Sequence, residues 1–331
     1  MSIVEQTLVP GGQGLEAHLE AHRRQLTGYC YRMLGSPFDA EDAVQETMLR
    51  AWRAWAGFHG DSAVRTWLYR IATNVCLDAL AGRKRRELPI DLGPASAPDP
   101  ALLNTRPAEA WLEPIPDSAV VSDASDPADV AVARETIRLA FISALQNLPP
   151  RQRAVLILCE VLRWQTTEAA ELLQTSVASV NSALQRARAR LADCGIDEPG
   201  PAAPLDRDQR ELLERYVTAF ERYDMSALTD LIRQDAIQSM PPFDIWLAGR
   251  EDIFAWWLGP GIGCRDSRML PAGLANGAVA YGQYKPSQSG LGREPWALQV
   301  IELGSGGIAK LTFFLDTERL FPLFGLPPHV D

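Results

Sequence analysis

TTEAAELLQTSVASVNSALQRARARL, residues 166–191, reads as two helices joined by a short turn at QTS. In the second helix Val177, Val180, Leu184, Ala187 and Leu191 recur at helical spacing and are expected to pack inward. Ser179, Asn181, Ser182, Gln185, Arg186 and Arg188 are then left on the outer side, and the helix body carries no acid. Hydroxyl, amide and guanidinium groups are the types that bond base edges and phosphates in a major groove. Two helices closed by a short turn form the helix-turn-helix layout. An ordinary solvated face beside a bundle core is the competing account. Upstream, Pro149-Pro150 opens a helix at an allowed first-turn position, with Val155, Leu156, Leu158, Cys159 and Leu162 as its core side. A further helix is expected over about 129–145.

Helical spacing also organises the N-terminal part. One helix is expected over 15–35, with Leu15, Leu19, Leu26, Cys30, Met33 and Leu34 toward the core. The next runs from Asp39 to about Trp55, burying Val44, Met48, Ala51 and either Trp52 or Trp55. One side of it, DAEDAVQETMLRAWRAW (39–55), gathers Asp39, Asp42, Gln45, Glu46 and Arg53: a solvated face, or a docking surface for a protein helix. A third helix, 63–82, offers Trp67, Leu68, Ile71, Val75 and Leu80 to the core and ends on Arg83, Lys84, Arg85 and Arg86. Phe58 and the GDSA turn sit beside Asn74 as a small cup. Aromatic surface with a basic rim suits unstacked single-stranded bases, although Trp and Tyr in a helix equally fill a core.

The net charge of −10 hides an alternation. Residues 1–86 carry +2, 87–129 carry −8, 130–191 carry +4 and 192–331 carry −8. Nucleic-acid binding follows the local patch, so an acidic total does not forbid it. No apolar run approaches the roughly 18 residues of a membrane span, and no signal-peptide layout opens the chain, so no membrane partner is expected. The five cysteines (30, 76, 159, 194, 264) are scattered without CxxC, which suits reduced thiols in a cytoplasm. His18 and His22 stand i, i+4 but lack further ligands, so neither a metal nor any other cofactor is expected.

PIDLGPASAPDP (89–100) and EPIPDSAVVSDASDP (113–127) are rich in Pro, Ala, Ser and Asp and predict an extended acidic linker over 87–128. Within it, AWLEPIPD (110–117) holds Trp111 and Leu112, either a chance apolar spot or a segment that docks on a neighbouring domain or partner. Beyond 206 a third composition begins. DQRELLERYVTAFERYDMSALTDLI (208–232) predicts two amphipathic helices, followed by strands at 279–284, 296–303 and 308–315, an α+β domain.

Three stretches carry a family resemblance. DAEDAVQETMLRAW (39–52) is similar to the core-polymerase-binding segment of bacterial sigma factors. GFHGDSAVRTWLYRIATNVCLDALAGRKR (57–85) resembles their promoter-melting and −10-reading segment. LPPRQRAVLILCEVLRWQTTEAAELLQTSVASVNSALQRARARL (148–191) resembles their −35-reading helix-turn-helix. In this order they resemble the extracytoplasmic-function (ECF) group of the sigma-70 family. The long linker and C-terminal domain resemble the actinobacterial sigma-G subgroup with a SnoaL-like (NTF2-like) extension.

The resemblance implies two all-α sigma domains, a helical bundle at 15–86 (region 2) and a helix-turn-helix unit at 129–192 (region 4). An acidic linker (87–128) and an α+β NTF2-like cone at 206–331 complete it. Asp39, Asp42, Gln45 and Glu46 would face the clamp helices of the polymerase largest subunit, and the core would be met through its largest and second-largest subunits. Phe58, Ser62, Ala63 and Asn74 would line a pocket for a base flipped from the −10 element, with Arg70, Arg83, Lys84, Arg85 and Arg86 on phosphates. Extruding a base costs a few kcal/mol, offset only in the right sequence. Ser179, Asn181, Ser182, Gln185 and Arg186 would meet the −35 element of promoter DNA.

In the cone, Trp246, Trp256, Tyr281, Trp296 and Phe313 are candidate cavity residues, with Asp244 and Arg250 as polar candidates. The only histidine there is His329, and no carboxylate pair stands out, so catalysis is not expected. Ligand sensing or a packing module that regulates the sigma domains remain. The apolar tail FLDTERLFPLFGLPP (314–328) is expected to dock, with contacts between the C-terminal domain and the sigma domains. The leading expectation is a promoter-specificity subunit of RNA polymerase. The alternatives are a ligand-responsive helix-turn-helix regulator acting without polymerase core, and an NTF2-like enzyme.

Overall fold

The computed structural model describes residues 12–58, 63–121, 127–193, 205–287 and 292–331. In chain order the helices are α1 (Gly12–Leu34), α2 (Pro37–Ala54), α3 (Val64–Leu80), α4 (Pro127–Glu135), α5 (Leu139–Gln146) and α6 (Pro150–Leu156). They continue as α7 (Thr166–Leu172), α8 (Val177–Asp193), α9 (Arg207–Arg222), α10 (Met225–Leu231), α11 (Arg250–Leu258) and α12 (Thr317–Leu323). The strands are β1 (Ile232–Ser239), β2 (Trp246–Ala248), β3 (Arg268–Ala275), β4 (Ala278–Pro286), β5 (Arg293–Gly304) and β6 (Gly307–Phe314). They divide between two compact units. One comprises 1–83, 119–122 and 148–195; the other comprises 84–118, 123–147 and 196–331.

The first unit is all helical. Gly35, at φ 74, ends α1 in the left-handed conformation. Ser36 then caps α2, its Oγ accepting the Asp39 N–H at 3.3 Å, with Pro37 in the first turn. Leu26, Cys30 and Met33 of α1, Val44 and Ala51 of α2, and Leu68, Ala72 and Cys76 of α3 close the bundle core. The phenol of Tyr29 is buried there and shares a 2.7 Å hydrogen bond with Thr73 Oγ1, as a buried hydroxyl requires. The helix-turn-helix pair is α7 and α8. The Gln165 N–H donates to Glu168 Oε2 at 2.8 Å at the start of α7, and Gln174, at φ 51, makes the turn.

The helix expected over 129–145 is two helices. Thr136 Oγ1 donates to Ala133 O at 3.0 Å, competing with the helical ladder. Arg138 then takes an extended ψ of 140°. The carbonyl of Ile137, freed by the break, accepts from the Asn276 side-chain amide.

The second unit is built on one six-stranded sheet in the order β2-β1-β6-β5-β4-β3, antiparallel except for the parallel pair β1–β6. The expected strands appear as β4, β5 and β6; β1, β2 and β3 complete the sheet. Pro271 sits in β3, an edge strand where a missing N–H is tolerated. Leu213, Tyr216 and Phe220 of α9 share one core with Trp256 and Trp257 of α11 and with Ile301 and Phe313 of the sheet. The apolar tail seats on the same sheet: Phe321 meets Tyr284 edge-on at 5.1 Å, and Tyr284 Oη donates to Pro327 O at 2.7 Å. Gly282 makes room for Leu326, whose Cδ1 would lie 2.6 Å from an added Cβ.

The acidic segment is not a free spacer. It has no α-helix or strand over 87–121, only short 3₁₀ turns, yet it is strapped to the C-terminal domain by backbone pairs. Ser96 N donates to Trp246 O at 2.8 Å, Arg106 N to Pro242 O at 3.1 Å, and Asp244 N to Asn104 O at 3.0 Å. Ile115 and Asn276 exchange hydrogen bonds of 2.9 and 3.1 Å. Trp111, Leu112 and Ile115 are buried to 3%, 0% and 1% exposure, so the apolar spot is a docked anchor.

One turn gives a stability prediction. Gly307 has φ 147, and an added Cβ would lie 2.7 Å from Leu231 O, a backbone atom that cannot swing away. Gly307→Ala is therefore expected to lower the unfolding free energy by about 2 kcal/mol. Gly57→Ala, where a Cβ meets nothing within 4 Å, is the neutral control. Denaturant titrations of the two variants make the comparison, and equal midpoints would refute it.

Candidate nucleic-acid interface

Helix α8 is held by Val180, Leu184, Ala187 and Leu191, all buried. Ser179, Asn181, Ser182, Gln185 and Arg186 are all exposed. Val177, expected inside, is 37% exposed, and its neighbours Ala178 and Ser179 in the first turn of α8 are exposed as well. Ser176 Oγ accepts the Ser179 N–H at 3.1 Å, and Arg186 donates to Ser182 Oγ at 2.5 Å, so the polar row is partly pre-set. Arg188 is drawn to Glu160 and is not part of the free row.

On α3, Trp67, Arg70 and Asn74 share one face at i, i+3, i+7. Phe58 packs on Trp67 at 4.9 Å and on Trp55 at 5.4 Å, giving an aromatic patch at the head of that face. Ala63 is exposed just before the helix and Asn74 is exposed along it. Ser62 lies outside the described residues. Arg70 is half-buried and approaches Glu171 at 3.6 Å.

The four consecutive bases part company. Arg83, Lys84 and Arg85 are exposed, Arg83 reaching Asp39 at 3.1 Å and Arg85 reaching Glu87. Arg86, expected on phosphates, is instead 7% exposed. It donates to Trp111 O at 2.6 Å and Ala108 O at 3.2 Å and faces Glu113 at 3.4 Å. Glu113 also pairs with Arg319 at 2.9 Å. Burying a charged Arg is tolerable only with such partners, and WLEPIPD supplies them.

On α2, Asp42 and Gln45 are exposed; Glu46 pairs with Arg50 at 2.7 Å and Asp39 is half-buried. Sequence reasoning missed what lies between them. Leu49 and Trp52 are 49% and 60% exposed, and Trp52 falls i+7 from Gln45 and i+3 from Leu49. Helical phase alone puts Trp52 on the polar face; its size had suggested the core.

Two further residues missed in the sequence join α3 to α6 and α7 within the first unit. Trp164 is buried against Tyr69 at 5.2 Å, with the Arg65 guanidinium 5.0 Å over its ring. Arg153, 3% exposed, donates to Met33 O at the end of α1 and to Leu148 O at 3.2 Å. Burial pushes its guanidinium down to about 10, so it stays charged at neutral pH.

The cavity candidates are mostly core. Trp256 and Phe313 are buried, Tyr281 and Trp296 pack on the same cluster, and Trp246 is half-buried with its indole N–H donating to Gly93 O at 2.9 Å. Arg250 serves the backbone, donating to Ile232 O at 3.0 Å, and Asp244 meets the strap through its backbone N–H. Inside the sheet runs a buried hydrogen-bonded chain: Tyr216 Oη to Gln299 at 3.0 Å, Gln299 to Gln283 at 2.9 Å, and Gln283 to Ser267 at 2.9 Å. The signal for this chain was present in two inward strand glutamines. Among the described residues no cluster of His, Cys, Asp or Glu has metal-holding geometry, and no helix is long and apolar enough to cross a membrane.

A helix-turn-helix with an exposed polar row thus shares one unit with a bundle that carries an aromatic and basic face. The family described as Sigma-70 region 2 matches residues 18–86, and Sigma-70, region 4 matches 138–191. The ECF RNA polymerase sigma factor SigG of Mycobacterium tuberculosis is 45% identical over 317 residues, 94% of this chain and 83% of that protein. The probable ECF RNA polymerase sigma factor SigI of the same organism is 28% identical over 220 residues, 66% of this chain and 67% of that one. The crystal structure of the M. tuberculosis extracytoplasmic function sigma factor SigJ shares the fold, with a TM-score of 0.59 at 23% identity over 95% of this chain and 99% of that one. The chain belongs to the ECF RNA polymerase sigma factors of the sigma-70 family. It is a transcription-initiation factor rather than an enzyme, acting with RNA polymerase core and promoter DNA.

Proposed function

We propose that α2 docks through Asp39, Asp42, Gln45 and Glu46 on the clamp helices of the polymerase largest subunit, with the second-largest subunit completing the contact. The aromatic face of α3, with Phe58, Ser62, Ala63, Arg70 and Asn74, takes a flipped −10 base, and Arg83, Lys84 and Arg85 neutralise phosphates beside it. Ser179, Asn181, Ser182, Gln185 and Arg186 read the −35 element. The strap and C-terminal domain modulate this activity, as a packing module rather than a catalyst. Work on chromosomal promoters puts the protein in the cytoplasm.

The observation that carries this reading is the fully exposed polar row of α8, backed by four buried apolar residues, in one unit with the open face of α2. Elements named for positions −10 and −35 lie about 25 base pairs apart, roughly 85 Å at 3.4 Å per pair. Trp164 against Tyr69 holds the two readers side by side, so promoter engagement requires the first unit to open. Polymerase core, which binds the open form, supplies the free energy.

Run-off transcription with purified bacterial core and the full chain tests the assignment. Specific transcripts are expected, and Phe58→Ala with Asn74→Ala is expected to remove them while duplex binding by α8 persists. Tight sequence-specific binding without core and no transcript with it would instead establish the free-regulator reading.

A further inference from the structure

The two DNA readers share more than a contact. Between α3 and the helix-turn-helix, inside the first unit, lies a cleft of about 330 Å³. Arg70, Arg151 and Arg186 stand around it; no acid is among the lining residues, and Glu171 approaches Arg70 from outside at 3.6 Å. Its floor includes Leu77 and Val155. Two buried polar atoms at its wall, Arg70 Nε and Gln152 Oε1, have no hydrogen-bond partner. Such atoms cost roughly 1–3 kcal/mol each when left unmet. Arg151 is exposed and makes no ion pair among the described residues.

Three guanidinium groups call for phosphate or another multivalent anion. The apolar floor and the amides of Asn74 and Gln152 call for a flat group with polar edges. The volume is at the small end of ligand sites, too small for duplex DNA, whose major groove alone is about 12 Å wide. We propose that this cleft binds a free phosphorylated nucleoside, and that the bound nucleotide holds the sigma unit closed.

The consequence follows from the lining. Arg70 and Asn74 belong to the −10 face, and Arg186 to the −35 row. A nucleotide that occupies them is bound only while the readers face each other, so it and the promoter complex exclude one another. The nucleotide is then a negative effector, and its effect is set by its differential affinity for closed and open forms. This inference rests on the sigma reading above.

Calorimetric titration of the full chain with AMP, ADP, ATP, their guanine counterparts and inorganic pyrophosphate tests it. At least one nucleotide is expected to bind more tightly than about 1 mM, and Arg151→Ala to weaken it about tenfold. Arg151 lies outside the assigned DNA readers, so the Arg151→Ala chain with core and no added nucleotide should form the promoter complex, read by gel shift, as the wild type does. That arm alone tests the sigma reading, independently of the ligand. Nucleotide added before core should lower the wild-type promoter complex and leave the variant's unchanged. No binding at about 1 mM, binding indifferent to both Arg151→Ala and Gln152→Ala, or pyrophosphate binding as well as every nucleotide would each overturn the proposal. So would binding of a short DNA duplex that Arg151→Ala weakens while no nucleotide binds, since the arginines would then serve backbone phosphates.

Discussion

Trp52→Ala is expected to weaken binding to polymerase core about thirtyfold, near 2 kcal/mol, without changing the stability of the free protein. Trp52 is 60% exposed on α2 and Leu49 beside it is 49% exposed. A side chain so placed contributes little to the fold, and exposed substitutions usually move stability by under about 0.5 kcal/mol. Flanked by Asp42, Gln45 and Glu46, the pair has the layout of an interface centre, a large apolar anchor inside a polar rim. The charged residues would steer the encounter and the tryptophan would hold it. Equilibrium titration of labelled protein with core, alongside thermal unfolding of the same variant, separates the two effects. Unchanged core affinity in Trp52→Ala would remove α2 from the interface.

Arg153→Ala is expected to cost about 3 kcal/mol of stability. Its guanidinium ties α6 to the last turn of α1 through Met33 O and to Leu148 O. Carbonyls at a helix C-terminus carry partial negative charge and lack intrahelical partners. Removing the arginine leaves them buried and unmet. The gain is discounted by the desolvation that pushes this group down to about 10. Arg153→Met keeps the volume and drops the charge, so it should recover part of the loss. Denaturant titration of both variants measures this, and values within about 0.5 kcal/mol of wild type would show that the tie is idle.

Much of this was readable from residue spacing. The α7–α8 pair, the bundle helices and strands β4 to β6 follow from periods of 3.6 and 2 that a single face enforces. The misses share a cause: partners distant in sequence. Arg86 reads as the end of a basic run until Glu113 and the Trp111 carbonyl are brought to it. The helix over 129–145 breaks where Asn276, far along the chain, receives the Ile137 carbonyl. Of the two tryptophans that α2 offers to the core, Trp55 is half-buried and Trp52 exposed, as helical phase dictates. The cone aromatics were offered as cavity residues, whereas packing on α9 and α11 makes four of the five core or core-flanking.

The two compact units alternate in chain order, the polypeptide passing between them five times. No single cut parts them. A protein ended at residue 195 would shed the sheet that shelters Trp111, Leu112 and Ile115, exposing apolar surface worth several kcal/mol at about 25 cal/mol per Å². Its behaviour would reflect a sticky, unmoored strap as much as any lifted restraint. Genetics on this chain therefore calls for point lesions within the second unit, such as Asn276→Ala at the side chain that ties the strap and the Ile137 carbonyl to the sheet, in place of the scissors that serve beads-on-a-string proteins.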